Sequence, residues 1–373
     1  MWRNMMMKKL VMKIAMFVCV VTLLLMARVG AASGSHIQAI FTFGDSIMDA
    51  GNNHFIKNCS AQADFPPYGS SYFHKPTGRF TNGRTVPDFI SQFLRITIQK
   101  PFLQVQLEAA NDTNGAYPSN GINFASAGSG MLLETNEDWG VIPIQDQLKY
   151  FEALVKRNKL DEKLIRRSLF LLESGSNDVF NYFSPFYSPK PDPSIYVQAM
   201  LSEAARLIAQ LYGLGARRIA IFGLGPVGCI PARALLPVAP LNRCFGRMNK
   251  MVKDYNLGLE ALVTALPHHY PGIVGVFGDV YRTTQRVRAS PATYRFVNVT
   301  HACCGDGALG GTVQCGKEGY KMCSNPSDFM FWDYFHPTEH TYKLISKGLW
   351  AGGRASIRPL NLKTLANLTL SDH

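Results

Sequence analysis

The sequence predicts a single α/β domain in which helices cover both faces of a parallel sheet. Along the chain, short apolar segments typical of strands alternate with longer segments in which apolar residues recur at helical spacing. This alternation favours parallel strands, because a parallel pair needs a long crossover connection that is usually a helix. Hydrophobic residues make up 47% of the 373 residues and charged residues 17%, which supports a large buried core and excludes wholesale disorder.

Five segments are the predicted strands, because each combines an apolar run with turn residues nearby. They span residues 39–43, 122–124, 169–172, 219–222 and 273–277. The carboxyl ends of parallel strands meet at one edge of a sheet, which is where open α/β proteins bind their ligands. We therefore expect functional residues directly after these segments.

Three predicted helices lie between the strands, within residues 144–155, 197–211 and 248–266. Their apolar residues recur every three or four positions and form one stripe on each helix. We expect the second helix to stop at Gly213 and the third to end at Pro267, since proline has no backbone N–H to donate.

Three segments rich in Pro, Gly, Asn and Ser are predicted to be long loops. They span residues 56–82, 100–121 and 286–326. Loops of this length in a compact domain usually carry function, so we expect some of them to border a binding site.

Residues 1–31 have the pattern of a cleaved secretory signal peptide. Basic residues up to Lys13 precede an apolar run of 13 residues, and Gly30 and Ala31 supply small residues for cleavage. The run is shorter than the ~20 residues that cross a bilayer. We therefore expect a secreted, extracellular mature chain of residues 32–373 that forms one domain and has no transmembrane segment.

The formal net charge of +12 does not predict a nucleic-acid-binding protein. Five basic residues, with no acidic residue among them, lie before residue 31, and leaving them out lowers the charge to +7. The rest of the chain has no run of four consecutive Lys or Arg residues. We interpret the remaining basic residues as a solvated surface and expect no nucleic-acid partner.

The cysteines after residue 31 indicate disulfide bonds rather than a metal site. These seven are Cys59, Cys229, Cys244, Cys303, Cys304, Cys315 and Cys323. In an oxidising compartment most should pair and one should stay free, but their spacing leaves the pairing open. The cluster lacks the CxxC pair typical of zinc sites, so no metal is expected, even with His301 nearby.

Glycosylation is also compatible with the sequence of a secreted protein. Asn-X-Ser/Thr sequons begin at Asn58, Asn111, Asn298 and Asn367.

Ser46 follows the first predicted strand, so it lies at the edge of the sheet where ligands bind. A serine hydroxyl is a poor nucleophile unless a neighbouring base removes its proton. Among the nine histidines, only His336 has an acid three residues before it, namely Asp333. The spacing predicts that Asp333 contacts Nδ1 of the imidazole and that Nε2 faces Ser46.

Two further strand ends supply candidate donors for an oxyanion, which an ester hydrolase needs. Gly128 lies in a segment rich in small residues after the second strand, where a backbone N–H can approach a substrate. Asn177 follows the third strand, and its side-chain amide can donate a hydrogen bond. We expect Asp45 and Asp49 to hold the Ser46 loop by accepting backbone N–H bonds.

These motifs, in this order, resemble the plant branch of the GDSL esterase/lipase family, which belongs to the SGNH hydrolases. Gly-Asp-Ser at residues 44–46 is similar to the first family block, although Ile47 replaces the leucine of the family name. Gly128 corresponds to the second block, Gly-Ser-Asn-Asp at 175–178 to the third, and Asp333 with His336 to the last. Residues 96–119 depart from the family pattern, which leaves the substrate open.

The resemblance implies a flavodoxin-like α/β/α sandwich of three layers, with a central parallel sheet of five strands. It also implies that Ser46 is the nucleophile, His336 the base and Asp333 its orienting partner. The backbone N–H of Ser46, Gly128 and Asn177 would form the oxyanion hole.

The implied activity is hydrolysis of small-molecule or lipid carboxylic esters through an acyl-enzyme, as in lipid degradation, with no metal or organic cofactor. The family also implies a disulfide between Cys229 and Cys244.

Two alternatives are an acyltransferase that uses the same site and a non-catalytic member of the fold that binds carbohydrate or lipid. The GxGxxG pattern at residues 223–228 indicates a nucleotide site only weakly, since Pro226 and Pro231 oppose immediate entry into a helix. The GxSxG motif of α/β-hydrolases is absent from the sequence.

Overall fold

The computed structural model describes residues 37–112, 115–185 and 190–370 of the chain. The predicted signal peptide lies outside the described residues. The five predicted strands are present as β1 Ala39–Gly44, β2 Gly121–Asn123, β3 Ser168–Glu173, β4 Arg218–Phe222 and β5 Val274–Gly278. They pair in parallel in the order β5–β4–β3–β1–β2.

Helices connect the strands and cover the sheet. In chain order they are α1 Val86–Leu94, α2 Phe102–Asn111, α3 Ile144–Lys156, α4 Glu162–Arg166, α5 Ser176–Phe183, α6 Pro193–Gly213, α7 Gly246–His269, α8 Val280–Ala289, α9 Glu339–Ala351 and α10 Leu362–Asn367. None of the helices in the described ranges is long and apolar enough to cross a membrane.

The sheet lies between two helical layers, as the three-layer prediction requires. Side chains alternate along β1, so Phe41 and Phe43 face one layer and Ile40 faces the other. The first layer contains buried residues of α2, α3, α6 and α7. The second contains buried residues of α1, α9 and α10. Both faces of the parallel strands are therefore buried, and their sequences are apolar throughout.

Short strands outside these five build the carboxyl-terminal part of the chain. They are β6 Asn298–Ala302, β7 Cys304–Gly305, β8 Lys321–Met322, β9 Phe329–Phe331 and β10 Ile357–Arg358. Strand β10 pairs antiparallel with β5 and adds a sixth strand to the sheet, which the sequence analysis did not predict. Two residues are too few to show a strand pattern.

Three further sequence predictions were wrong in detail. The predicted loop 100–121 contains helix α2, whose Phe102 and Val105 anchor it in the core. The predicted loop 286–326 includes strands β6 to β8. Helix α7 continues past Pro267 to His269, because a missing N–H near a helix end removes one hydrogen bond without forcing the next residues out of helical geometry.

Three disulfides link six of the cysteines. They join Cys229 to Cys244, Cys303 to Cys323 and Cys304 to Cys315. The first is the pair implied by the family resemblance. Among the described residues, Cys59 is the one free cysteine, and it is buried. The expectation of mostly paired cysteines with one free thiol is confirmed.

A buried ion pair links α1 to the loop that follows β1. Arg79 donates from Nε and Nη2 to the carboxylate of Asp88 at 2.8 and 2.9 Å, and from Nη1 to the carbonyl of Ala50 at 3.0 Å. Both charged side chains are buried. Asp88 also accepts the backbone N–H of Thr85, which precedes the helix.

We predict that Asp88→Ala lowers the free energy of unfolding by about 3–5 kcal/mol, because it leaves the Arg79 guanidinium buried without its counter-ion. Asp146→Ala is the matched control, since it removes the exposed pair with Lys149 and should cost no more than about 1 kcal/mol. Urea unfolding of both variants measures these losses. Equal losses would contradict the structural role given to the buried pair.

Candidate active site

The loop after β1 presents Ser46 at the carboxyl edge of the sheet. Gly44 ends β1 with φ +144°, and a Cβ there would lie 1.9 Å from the carbonyl oxygen of Glu173 on β3. Only glycine fits this close approach of two strands. Asp45 accepts the backbone N–H of Ile47 at 3.0 Å, as predicted, and thereby holds the turn that carries Ser46.

Asp49 joins the Ser46 loop to the segment after β2. Its Oδ1 accepts the backbone N–H groups of Gly51 and Asn52 at 2.7 and 2.8 Å, and its Oδ2 accepts that of Ala127 at 3.0 Å. Burial raises the pKa of Asp49 to about 6, although these three donors oppose the shift. The predicted role of Asp49 in holding the loop therefore extends to a second loop of the site.

Ser46, His336 and Asp333 form a chain of hydrogen bonds. The Oγ of Ser46 lies 2.8 Å from Nε2 of His336, and Nδ1 of the same ring lies 2.8 Å from both carboxylate oxygens of Asp333. When Nδ1–H donates to Asp333, Nε2 is free to accept the Ser46 hydroxyl. All three side chains are buried, so little water competes for these bonds.

Asp333 is held as a carboxylate by several donors. Its Oδ1 accepts the backbone N–H groups of Phe335 and His336, and its Oδ2 accepts the hydroxyl of Tyr68 at 2.7 Å. Burial alone would raise the pKa of Asp333, but the imidazole of His336 and these hydrogen bonds lower it below its usual value. Asp333 therefore keeps its negative charge beside the His336 ring.

Asn177 and Gly128 lie on the other two predicted loops. Asn177 is in the first turn of α5, and its Nδ2 donates to the carbonyl of Ser129 at 2.9 Å, which ties it to the Gly128 loop. Gly128 has φ +87°, a conformation that favours glycine. None of the hydrogen bonds within the described residues uses the backbone N–H of Ser46 or Gly128.

A cavity of about 90 Å³ opens beside Ser46 and His336. Asn177 also lines it, whereas Gly128 does not reach its wall. The rest of the lining is mostly apolar and comes from the ends of β3 and β4, from α8 and α9, and from the residues around β9. Its large apolar members include Phe222, Val227, Ile230, Met330, Phe331 and Phe335. This surface suits an apolar chain next to Ser46.

Comparison with known proteins identifies the family. Residues 40–349 match the family described as GDSL-like lipase/acylhydrolase. The chain belongs to the GDSL lipase/acylhydrolase family. It is 61% identical to GDSL esterase/lipase 6 of Arabidopsis thaliana over 90% of this chain and 92% of the relative.

More distant relatives match over similar lengths. The chain is 32% identical to GDSL esterase/lipase 5 of Arabidopsis thaliana, over 94% of each protein. It is also 32% identical to a GDSL lipase of Tanacetum cinerariifolium, over 95% of this chain and 94% of the relative. The chain is therefore an ester-hydrolysing enzyme of the GDSL family.

Two side chains of this GDSL site were not predicted from the sequence. Tyr68 lies in a predicted loop, and its contact with Asp333 spans 265 residues, so no local pattern indicates it. Gln147 on α3 accepts the backbone N–H of Gly44 and donates to its carbonyl, both at 2.9 Å. The available signal for Gln147 was a polar residue at a position on the apolar stripe of the predicted helix 144–155.

Glu173 is a third addition to the GDSL site, at the end of β3. It lines the cavity, is 5% exposed, and lies near the fully buried carboxyl of Asp45. Burial raises the pKa of Asp45 to about 6 and that of Glu173 well above its usual value, to which the charge of Asp45 adds. A negative charge on either of these two buried carboxyl groups disfavours ionisation of the other, because the second charge would be repelled by the first.

We predict that Glu173→Gln increases stability relative to wild type as the pH rises from about 4 to about 8. A raised pKa in the folded state stabilises wild type below the unfolded pKa, and this contribution is lost as the pH rises toward the folded pKa. Glutamine cannot ionise and avoids that loss. Urea unfolding across this pH range measures the difference.

Glu108→Gln is the control, because the pKa of the exposed Glu108 is lowered, first by its hydrogen bond with Lys100. The stability of Glu108→Gln relative to wild type should not rise with pH. A Glu173→Gln difference that stays constant with pH would contradict the raised pKa of Glu173.

Proposed function

We propose that this GDSL hydrolase cleaves carboxylic esters by acyl transfer to Ser46, with His336 as the general base and Asp333 orienting it. The proposal is carried by one observation, the 2.8 Å contact between Ser46 Oγ and His336 Nε2 on a ring whose other nitrogen contacts Asp333. This arrangement activates a hydroxyl that is otherwise a weak nucleophile.

In the first step, Ser46 Oγ attacks the ester carbonyl carbon while His336 Nε2 takes the hydroxyl proton. The carbonyl π electrons move to oxygen and form a tetrahedral oxyanion. When the carbon–oxygen bond to the leaving alcohol breaks, His336 returns the proton to that alcohol and an acyl-enzyme remains. In the second step, water attacks the acyl group with the same proton transfers and restores Ser46.

The backbone N–H groups of Ser46 and Gly128 and the side-chain amide of Asn177 are the proposed donors to the oxyanion. The proposal is supported by the two N–H groups that have no acceptor within the described residues, since buried donors normally find one. Asn177 lines the same cavity as Ser46. Loss of one such donor typically lowers turnover by ~10²- to 10³-fold.

The proposed substrates are small-molecule or lipid esters with an apolar chain, because the cavity beside Ser46 is lined mainly by apolar side chains. We also propose that residues 1–31 are removed as a signal peptide and that residues 32–373 are secreted as one domain. Three disulfides support this location, since disulfides persist in oxidising compartments.

Hydrolysis of p-nitrophenyl butyrate by wild type and Ser46→Ala tests the proposal. We expect Ser46→Ala to lower turnover by at least ~10³-fold, because no hydroxyl remains to form the acyl-enzyme. Ser70→Ala is the matched control, since Ser70 is exposed, lies in no glycosylation sequon and does not line the cavity. Equal turnover by wild type and a folded Ser46→Ala would contradict the assignment of the nucleophile.

A further inference from the structure

The segment between Cys229 and Cys244 exposes apolar side chains next to the active-site cavity. Residues 230–243, which we call the disulfide loop, contain three exposed large hydrophobic residues within seven positions. Leu235 is 43% exposed, Val238 65% and Leu241 48%. Single exposed hydrophobic residues are common on proteins, but a cluster on one loop marks an interaction surface.

A buried arginine holds the disulfide loop in shape. Arg233 is 1% exposed, and its guanidinium donates to the carbonyls of Cys229 and Ile230 at 2.7 and 2.9 Å. It also donates to the carbonyls of Pro240 and Leu241 at 3.3 and 3.2 Å. Arg233 therefore joins the beginning of the loop to its end from inside.

The charge of Arg233 is satisfied by main-chain dipoles, because no ion pair within the described residues includes it. Burial lowers the pKa of Arg233 to about 10, with a further contribution from Arg288, so the group remains charged at neutral pH. Together with the disulfide, these bonds order the loop before any partner binds. An ordered loop loses less conformational entropy when its apolar side chains are buried in a partner.

The disulfide loop is continuous with the active site. Val227, just before it, and Ile230, at its start, line the cavity beside Ser46. The backbone N–H of Ala232 donates to the carbonyl of Tyr334 at 2.8 Å, in the segment that carries Asp333 and His336. A surface on which this loop rests would therefore lie close to the cavity.

The charge of the loop favours an anionic surface. Residues 230–243 contain no acidic residue, and Arg243 within the loop and Arg247 just after it are both exposed. Anionic lipid surfaces attract such arginines, and apolar side chains nearby enter the boundary between headgroups and acyl chains. Three side chains are too few for the ~800 Å² per partner of a stable protein interface, whereas a membrane interface can bind a small apolar patch.

We propose that the disulfide loop is a docking surface for anionic lipid membranes or aggregates, with Leu235, Val238 and Leu241 entering the lipid and Arg243 and Arg247 contacting headgroups. The inference extends the proposed function, because docking would bring an ester held in the lipid close to Ser46. Binding itself requires no hydrolysis, so the two proposals can fail separately.

Sedimentation with sucrose-loaded vesicles of phosphatidylcholine and phosphatidylglycerol tests the docking surface on the full mature protein. We expect wild type to bind. We expect the double variant with Val238→Ser and Leu241→Ser to lower the partition coefficient ~10-fold, because both substitutions remove an apolar side chain that would be buried in the lipid. Added salt should weaken wild-type binding through the arginines. Ser46→Ala should bind as wild type does.

Leu257→Ser combined with Val297→Ser is the matched control. These residues are 70% and 81% exposed and lie outside the disulfide loop, so their replacement should leave vesicle binding within ~2-fold of wild type. Hydrolysis of a soluble ester and thermal unfolding show that each variant is folded. If the loop double variant does not fold, Val238→Ser alone provides the same comparison at the most exposed position.

Three results would overturn the proposal. Wild type could fail to bind vesicles, or the loop and control variants could bind equally. Sedimentation velocity could also show a wild-type dimer that the loop variant converts to a monomer, which would assign the patch to a second copy of the chain. Vesicle binding by a protein that hydrolyses no ester would support the docking surface and count against the proposed function alone.

Discussion

The proposed active site depends on one hydrogen bond between residues that are 290 positions apart, Ser46 and His336. In the proposed mechanism neither side chain acts without the other, because the serine needs a base and the imidazole needs a proton to remove. Strand β1 ends just before Ser46, and β9 and α9 flank the segment that carries His336. The fold therefore provides proximity, and the local hydrogen bonds provide orientation.

Buried polar groups maintain that orientation. The side chains of Asp45, Asp49 and Gln147 accept backbone N–H groups at the end of β1 and in the loop that carries Ser46. The hydroxyl of Tyr68 donates to the carboxylate of Asp333. Each of these groups would destabilise the interior if it lost its partner. This hydrogen-bond network therefore favours one arrangement of the loops. In that arrangement the hydroxyl of Ser46 and the imidazole of His336 stay aligned.

The sequence predicted the features that depend on local patterns. Each of the five parallel strands has a local apolar pattern. Short motifs contain Ser46, Asn177, Asp333 and His336, so chain order and the positions of the strand ends predicted that these residues lie close together. Features that depend on distant contacts were missed, among them Tyr68 and the added strand β10. Helix α2 was missed because its apolar stripe is weak. Pro101 before the helix and the turn residues that follow it favoured a loop instead.

A fluorophosphonate probe tests most directly whether Ser46 reacts as a nucleophile because His336 takes its proton. Attack by Ser46 Oγ forms a phosphorus–oxygen bond and releases fluoride, while His336 accepts the hydroxyl proton. Peptide mass spectrometry should find one adduct, on Ser46, and His336→Ala should slow its formation by ~10²- to 10⁴-fold. Labelling of another residue, or equal rates in a folded His336→Ala variant, would show that Ser46 and His336 do not act as nucleophile and base.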